Sequence, residues 1–449
     1  MVLIKFIEFA FYILTCYKIL KCKGQENAFY WFVYGCIVLY PRTYIIPGIP
    51  LPPVVLPVFC ILRSWIDGKF SQEWKRYPFR IIMVLMVLYH IIHPFIVSWM
   101  PLFECMKLEF FGFLQTFTVL LGGYLLAPAN YDRKKLERNI IYISIILIIS
   151  GSLCWILSSN FIAAAFSTSG DSFFGSDRVG TERGFRATGT QFSPNSYGNA
   201  LVLCILLINH YCKKLALKYF TIGLLLLCIV FTASRTPLVI LVIGICIYYL
   251  FQKKSKLLGA IVVIGISFYL FGEQLVKNEY IGKYIGGVTD LILTGGENTS
   301  GSSSDLRERQ WFITLYYLEE APFFGHGEGY TMQLVNENGI FYVLKDSDLA
   351  GAEGYQYIVL IDHGICYAIL ALIFFGSIFC FFTLNLKGKD TKESAIWGLC
   401  LTSCLFIFLL SSRPNQVWQI YCPFIALYLK NIISIRTKRL IPRVISTEL

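Results

Sequence analysis

Apolar runs of about 20 residues recur along the whole chain, each closed by a short polar or basic connection. A run of that length spans a bilayer as one helix. Candidate spans lie at 2–18, 28–40, 51–66, 79–100, 109–127, 140–158, 197–211, 217–232, 236–251, 257–275, 355–383, 394–411 and 415–430. The pattern predicts an all-α polytopic membrane protein of about 12–13 transmembrane helices, folded as a single multispan domain over 1–449. The first run contains Lys5 and Glu8, lacks a small-residue cleavage site, and reads as a retained span.

The connections alternate in charge. Twenty-five of the 39 Lys and Arg residues fall in 18–27, 67–80, 129–138, 211–218, 252–256, 384–393 and 430–443. The opposite short turns carry one each, Arg42, Lys107, Arg235 and Arg413. This bias places the basic set, and a basic tail at 431–449, in the cytoplasm. Two long connections, about 159–196 and 276–354, then face outward. The second holds the low-complexity piece GGENTSGSSSD at 295–305 and a helical stretch at 307–320 with Trp311, Leu315 and Leu318 in register. It carries 12 acidic and 5 basic residues, so any anion it holds must be held by particular arginines.

Composition agrees with the pattern. The 449 residues are 56% hydrophobic and only 15% charged, against roughly 25% charged in an ordinary soluble domain. These values exclude a soluble enzyme, a disordered chain and a disulfide scaffold. The net charge of +11 is dispersed between apolar segments, which argues against nucleic acid as a partner. The 15 cysteines show no paired metal-ligand spacing, and Cys204, Cys228 and Cys380 read as small apolar residues inside spans.

Four stretches carry candidate chemistry. In GFRATGTQFSPNSYGNAL at 184–201, glycines and a Pro-Asn pair let the backbone turn tightly around Arg186. An arginine held there can fork onto a phosphate; read alone, it is an interfacial arginine in an ordinary turn. In TASRTPLV at 232–239, Arg235 opposes the charge bias and Pro237 suits the first turn of the next helix. At 305–330, Arg307 precedes Trp311 by one helical turn, and Pro322, Gly325, Gly327 and Gly329 follow in a run whose N–H groups can face an anion. At 352–370, Glu353 stands at the mouth of a span, with Asp362 and His363 further in; ionisable groups at such depth are candidates for function or for a buried polar pair. His90 and His93, beside Pro94, read as structural. Asp346-Ser347-Asp348 reads as a solvated loop pair rather than a metal site, and the sequon Asn298-Thr299-Ser300 as a chance match.

Together these pieces, in this order and on one side of the membrane, resemble the bacterial O-antigen polymerase and O-antigen ligase superfamily from about 183 to 376. Family ligases carry a His-Asn pair at the mouth of the last of these spans, with a glycine eleven residues after the histidine. Counting back from Gly364 reaches Glu353, followed by Gly354. This departure favours a polymerase over a ligase.

The resemblance implies glycosyl transfer on the periplasmic face of the bacterial cytoplasmic membrane. Donor and acceptor would be glycans linked to undecaprenyl pyrophosphate, and no nucleotide, cofactor or obligatory metal is needed. Arg186, Arg235 and Arg307 would bind the pyrophosphate, and Glu353, or else His363, would take the acceptor proton. A chain-length regulator and a flippase are partners that such a polymerase leaves room for. Two other readings stand beside it: a ligase moving finished glycan onto lipid A core or protein, and, more distantly, an exporter of lipid-linked oligosaccharide. An exporter calls for deep charges in several spans and for two related halves, and neither is evident.

Overall fold

The computed structural model describes residues 2–39, 41, 51–166, 185–191, 193–234, 236–252, 304–331, 334, 354–411 and 414–445. Twelve of the thirteen expected spans are helical; the thirteenth, 257–275, lies outside the described residues. The helices are α1 (Val2–Lys21), α2 (Gln25–Ile37), α3 (Leu51–Ile66), α4 (Phe70–Arg76), α5 (Arg80–Ile96), α6 (Leu102–Gln115), α7 (Phe117–Leu126), α8 (Arg133–Ile156) and α9 (Phe161–Phe166). They continue as α10 (Pro194–Tyr211), α11 (Leu215–Phe231), α12 (Thr236–Phe251), α13 (Ser304–Glu320), α14 (Tyr355–Ile358), α15 (Gly364–Asn385), α16 (Lys392–Leu409) and α17 (Pro414–Ile445). No strand occurs among the described residues.

Among these, Arg133–Ile156, Tyr355–Asn385 and Lys392–Leu409 are each long and apolar enough to cross a membrane. Two bent pairs raise the number to five: α4 with α5, at 104°, and α6 with α7, at 44°. The second pair corrects the expectation of one continuous span at 109–127. Thr116 interrupts it, donating its hydroxyl to the carbonyls of Gly112 (2.9 Å) and Phe113 (3.2 Å). A hydroxyl that competes for helical carbonyls in this way bends the helix.

The core is built around α7, α10 and α17. Every residue of α7 is buried, and nearly every residue of α10. α17 packs against α16, α7 and α10, and α7 packs on α3. Small residues let the helices approach: a Cβ on Gly151 of α8 would lie 1.8 Å from the hydroxyl of Tyr197 on α10, and one on Gly398 of α16 would lie 2.1 Å from the Phe382 ring on α15. Large apolar side chains such as Ile81, Ile92, Phe95, Ile149, Phe220 and Leu372 are exposed on the outside, as a lipid-facing surface requires. Cys204 and Cys228 are buried as expected, whereas Cys380 is exposed on that outer surface.

One end of the bundle gathers the basic connections and is tied by ion pairs. Arg133 and His210 both hold Glu393 (2.6 and 2.8 Å), Lys135 holds Glu26 (3.2 Å), and the buried Lys430 reaches Glu73. Asn431 of α17 donates to the carbonyl of Ala129 (3.1 Å), and Ser394 bonds Asn431 (2.9 Å). The opposite end, which holds the α11–α12 turn, the segments at 157–160 and 185–191, and the 97–101 connection, carries the candidate chemistry.

Valine in place of Gly151 should separate α8 from α10 and cost about 1–3 kcal/mol. Thermal unfolding in detergent checks this; an unchanged midpoint would contradict the close contact.

Candidate functional site

Two assemblies lie at the end opposite the basic connections. The first surrounds Arg186. Its segment is laid across the end of α11: Ala187 N–H donates to Phe231 O (2.9 Å), and the Arg186 Nε–H donates to Thr232 O (3.1 Å). Asn160 brackets the same segment, giving its amide to Arg186 O (3.0 Å) and accepting from Thr188 N–H (3.0 Å). Gln191 ties it to the end of α2 through Ile37 O (2.5 Å). Gly189 has φ +54°, and a Cβ there would meet the Tyr197 ring at 2.4 Å, so only glycine fits. The α11–α12 turn is tight, with Ala233 at φ 45°, and the Ser234 hydroxyl bonds Asn195. Pro237 packs where a Cβ on Gly198 would have to go, 2.3 Å away. The first two motifs of the sequence therefore form one unit. Arg235 itself lies outside the described residues, but Ser234 and Thr236 on either side of it belong to this turn.

The second assembly is centred on the span that begins at Tyr355. The sequence reads as one helix here, but the structure breaks it. One turn, α14, leads into a π-helical segment, Val359–His363, and Gly364, the first residue of α15, takes φ +69°. The glycine-rich loop at 321–331 lies against the break and satisfies its backbone. His326 N–H donates to Ile361 O (2.9 Å) and Gly327 N–H to Asp362 O (2.8 Å). In return Ile365 N–H donates to Pro322 O (2.9 Å) and Cys366 N–H to Phe323 O (3.1 Å). Gly325 and Gly364 meet backbone to backbone: a Cβ on Gly325 would lie 2.5 Å from the Asp362 carbonyl carbon, and one on Gly364 would lie 2.6 Å from the Gly325 nitrogen.

The Asp362 carboxylate completes the junction. It accepts from Gly329 N–H (3.0 Å), Thr331 N–H (2.7 Å) and the Thr331 hydroxyl (2.5 Å). The loop does cradle an anion, as its glycines suggest, but that anion is the chain's own aspartate. Of the pair Asp362–His363, the aspartate thus supports packing, while the histidine turns inward.

His363 enters a buried cluster that sequence reasoning did not assemble. α5 is inside out: Ile82, Met83, Met86, His90 and His93 lie on its buried side, and Ile81, Ile91, Ile92, Phe95 and Ile96 face outward. Glu109 of α6 lies between the histidines, one oxygen 2.5 Å from His90 Nδ1 and the other on His93 Nδ1. His93 Nε2 faces the Phe324 carbonyl (2.6 Å), and His90 Nε2 faces the Tyr367 hydroxyl (3.2 Å). His363 Nε2 bonds Glu328 of the glycine-rich loop (2.7 Å), and Tyr89 donates to the His363 carbonyl (2.9 Å). Glu328 keeps 25% of its side chain exposed. Its carboxyl is pushed up, to about 8, by desolvation first and then by the Glu109 carboxylate.

The signal for Glu109 was a single acidic residue in an apolar run. That signal has no meaning until His90 and His93 are placed opposite it. Glu328 was hidden among the glycines.

α13 covers this region, touching α14 and the π segment. Its buried face is Gln310, Thr314 and Tyr317, not the stripe of Trp311, Leu315 and Leu318; Trp311 is 42% exposed. The packing surface beneath it is a broken, polar stretch of backbone, so the helix turns polar residues inward. A small apolar cluster of Tyr317, Leu334, Tyr357 and Ile361 seals the contact. Arg307 lies on the first turn of α13, but its side chain is outside the described residues, as is Glu353, one residue before Gly354 and the start of α14.

Residues 220–352 match the family model described as O-Antigen ligase. The matched stretch, 133 of the 449 residues, is similar to the O-antigen ligase family. This supports membership of the O-antigen polymerase and ligase superfamily, with glycosyl transfer in the broad sense as its activity and lipid-linked glycans in a bilayer as its setting. The O-antigen ligase match spans α11, α12, α13 and the glycine-rich loop, and so includes Arg235, Arg307 and Glu328. No curated protein matches the chain.

Replacing Asp362 with Ala leaves three donors, the two of Thr331 buried, without their acceptor; each buried one is worth about 1–3 kcal/mol. The expected result is rapid proteolysis within 321–331 in a chain that is still membrane-inserted, with wild-type protection as the contrary outcome.

Proposed function

We propose that this protein polymerises undecaprenyl-pyrophosphate-linked oligosaccharide repeat units into O-antigen or a related surface polysaccharide, on the periplasmic face of the cytoplasmic membrane. The observation that carries this reading is the residue at the mouth of the broken span. Gly364 is fixed by its backbone contact with Gly325, which makes it a firm point from which to count. Eleven residues before it stands Glu353, where the ligases that the chain resembles carry histidine.

The leaving group is a lipid pyrophosphate, already a stable anion. Transfer then needs cations on the pyrophosphate and a base for the acceptor hydroxyl. Arg186, Arg235 and Arg307 hold the pyrophosphate in this reading, and forked guanidinium contacts suit its oxygens. Support comes from the unit that joins the Arg186 segment to the turn containing Arg235. Glu353 takes the acceptor proton. Its rival, His363, is 4% exposed and enclosed by Tyr89, Tyr367, His90 and His93, a poor position for meeting an acceptor sugar.

The ligase is the second reading, favoured by the description of the matching family. Deletion of the gene, with surface glycan resolved on a gel, separates the two. A polymerase leaves one repeat unit attached and no ladder; a ligase leaves no attached glycan, with long chains retained on the lipid carrier.

Arg235→Ala and Arg307→Ala should each abolish long-chain glycan while the protein stays in the membrane. Normal ladders from both would overturn the pyrophosphate assignment. Glu353→Gln should slow polymerisation by about 10²–10⁴-fold, the contribution of a positioned base. Unchanged polymer length and rate from that variant would pass the role to His363.

A further inference from the structure

We infer that His93, His363 and Glu109 form a binding site for a divalent transition-metal cation, of which zinc fits the donor set best. The inference is independent of the transferase reading. It starts from donor and acceptor bookkeeping in the buried cluster. His93 Nε2 faces the carbonyl oxygen of Phe324 at 2.6 Å, an atom that only accepts, so Nε2 carries the proton. In the neutral ring Nδ1 is then a bare lone pair, and it points at an oxygen of Glu109. Two lone pairs cannot face each other in a buried site without a positive centre between them.

His363 poses the same question from the other side. Its Nε2 is tied to Glu328 (2.7 Å), while its Nδ1 is buried with no hydrogen-bond partner, 3.9 Å from the same oxygen of Glu109. The ligand atoms of His93, Glu109 and His363 all lie within 4.8 Å of one another. His90 completes the ring, its Nδ1 2.5 Å from the second oxygen of Glu109. Imidazole nitrogens with one carboxylate suit zinc and the neighbouring divalent metals rather than calcium or magnesium.

The outer contacts fit as well. Histidines that hold a metal through one nitrogen commonly give the other to a carbonyl, a carboxylate or another polar oxygen, which fixes tautomer and ring angle. Here the Nε2 atoms of His93 and His363 meet Phe324 O and Glu328 Oε2. The site is closed: the side chains of His93, Glu109 and His363 are at most 5% exposed. The cation would clamp α5 and α6 to the π segment of the broken span, and so hold the mouth in shape.

The test is metal analysis of the full-length protein, purified in detergent through a tag without histidine. Near one zinc per chain is expected, and chelator-stripped protein should take up Co²⁺ with visible absorption bands of nitrogen and oxygen ligation. Stripping should lower the midpoint of thermal unfolding, and Zn²⁺ should restore it. Folded wild-type protein with no bound metal and no cobalt bands would overturn the proposal and leave protons as the positive charge. Glu109→Ala should lose the metal. Glu328→Gln, which keeps the ligands and alters only the support of His363, should weaken Co²⁺ binding by about 10–100-fold. His326→Gln, next to the cluster but outside it, should bind as wild type; loss of the metal there would count against the assigned ligands.

Discussion

Inside a bilayer every backbone N–H and C=O must find a partner within the protein, and at the break at Val359–Gly364 this chain meets that demand with a distant loop. The loop at 321–331 gives N–H groups to the Ile361 and Asp362 carbonyls of the break, and the start of α15 gives N–H groups to the loop carbonyls of Pro322 and Phe323. The loop and the span are thus mutually dependent. Neither has a stable backbone without the other, and the two glycines at their crossing allow the approach. Asp362 adds a buried carboxylate that is satisfied wholly by that loop.

The junction also determines what lies beneath it. Bending the span at this point directs His363 into the bundle, where α5 has turned His90 and His93 inward and α6 presents Glu109. A lone buried carboxylate is expensive, and it is tolerated only with compensating positive charge and hydrogen bonds. The cluster meets the second need with side chains from four parts of the chain, and a cation or protons must meet the first. Its position beside the mouth, just below α14, links the stability of this end of the bundle to the geometry of the span that starts beside Glu353.

The arginine unit obeys a different logic. It uses ordinary turn chemistry: a left-handed position that only glycine accommodates, an asparagine bracketing a short segment, and a proline seated against a glycine. Those local devices hold Arg186 over the same turn that carries Arg235. That arginine motifs far apart in sequence form one unit is consistent with a shared anionic ligand, such as the pyrophosphate of a lipid-linked glycan.

By itself the sequence determined the all-helical multispan class, the position of twelve helices, the charge asymmetry of the two ends, and the superfamily, because these rest on local hydropathy, local charge and short motifs. It also marked Asp362 and His363 as ionisable groups deep in a span, candidates for function or for a buried polar pair, though not which of them packs and which faces inward. Tertiary structure alone decided the bend at Thr116, the broken span, the buried face of α13, and the cluster of Glu109 and Glu328 with three histidines. The physical reason is that each of these depends on a partner distant in sequence. A glutamate among leucines and phenylalanines, or among glycines, has no readable role until the fold brings its histidine to it.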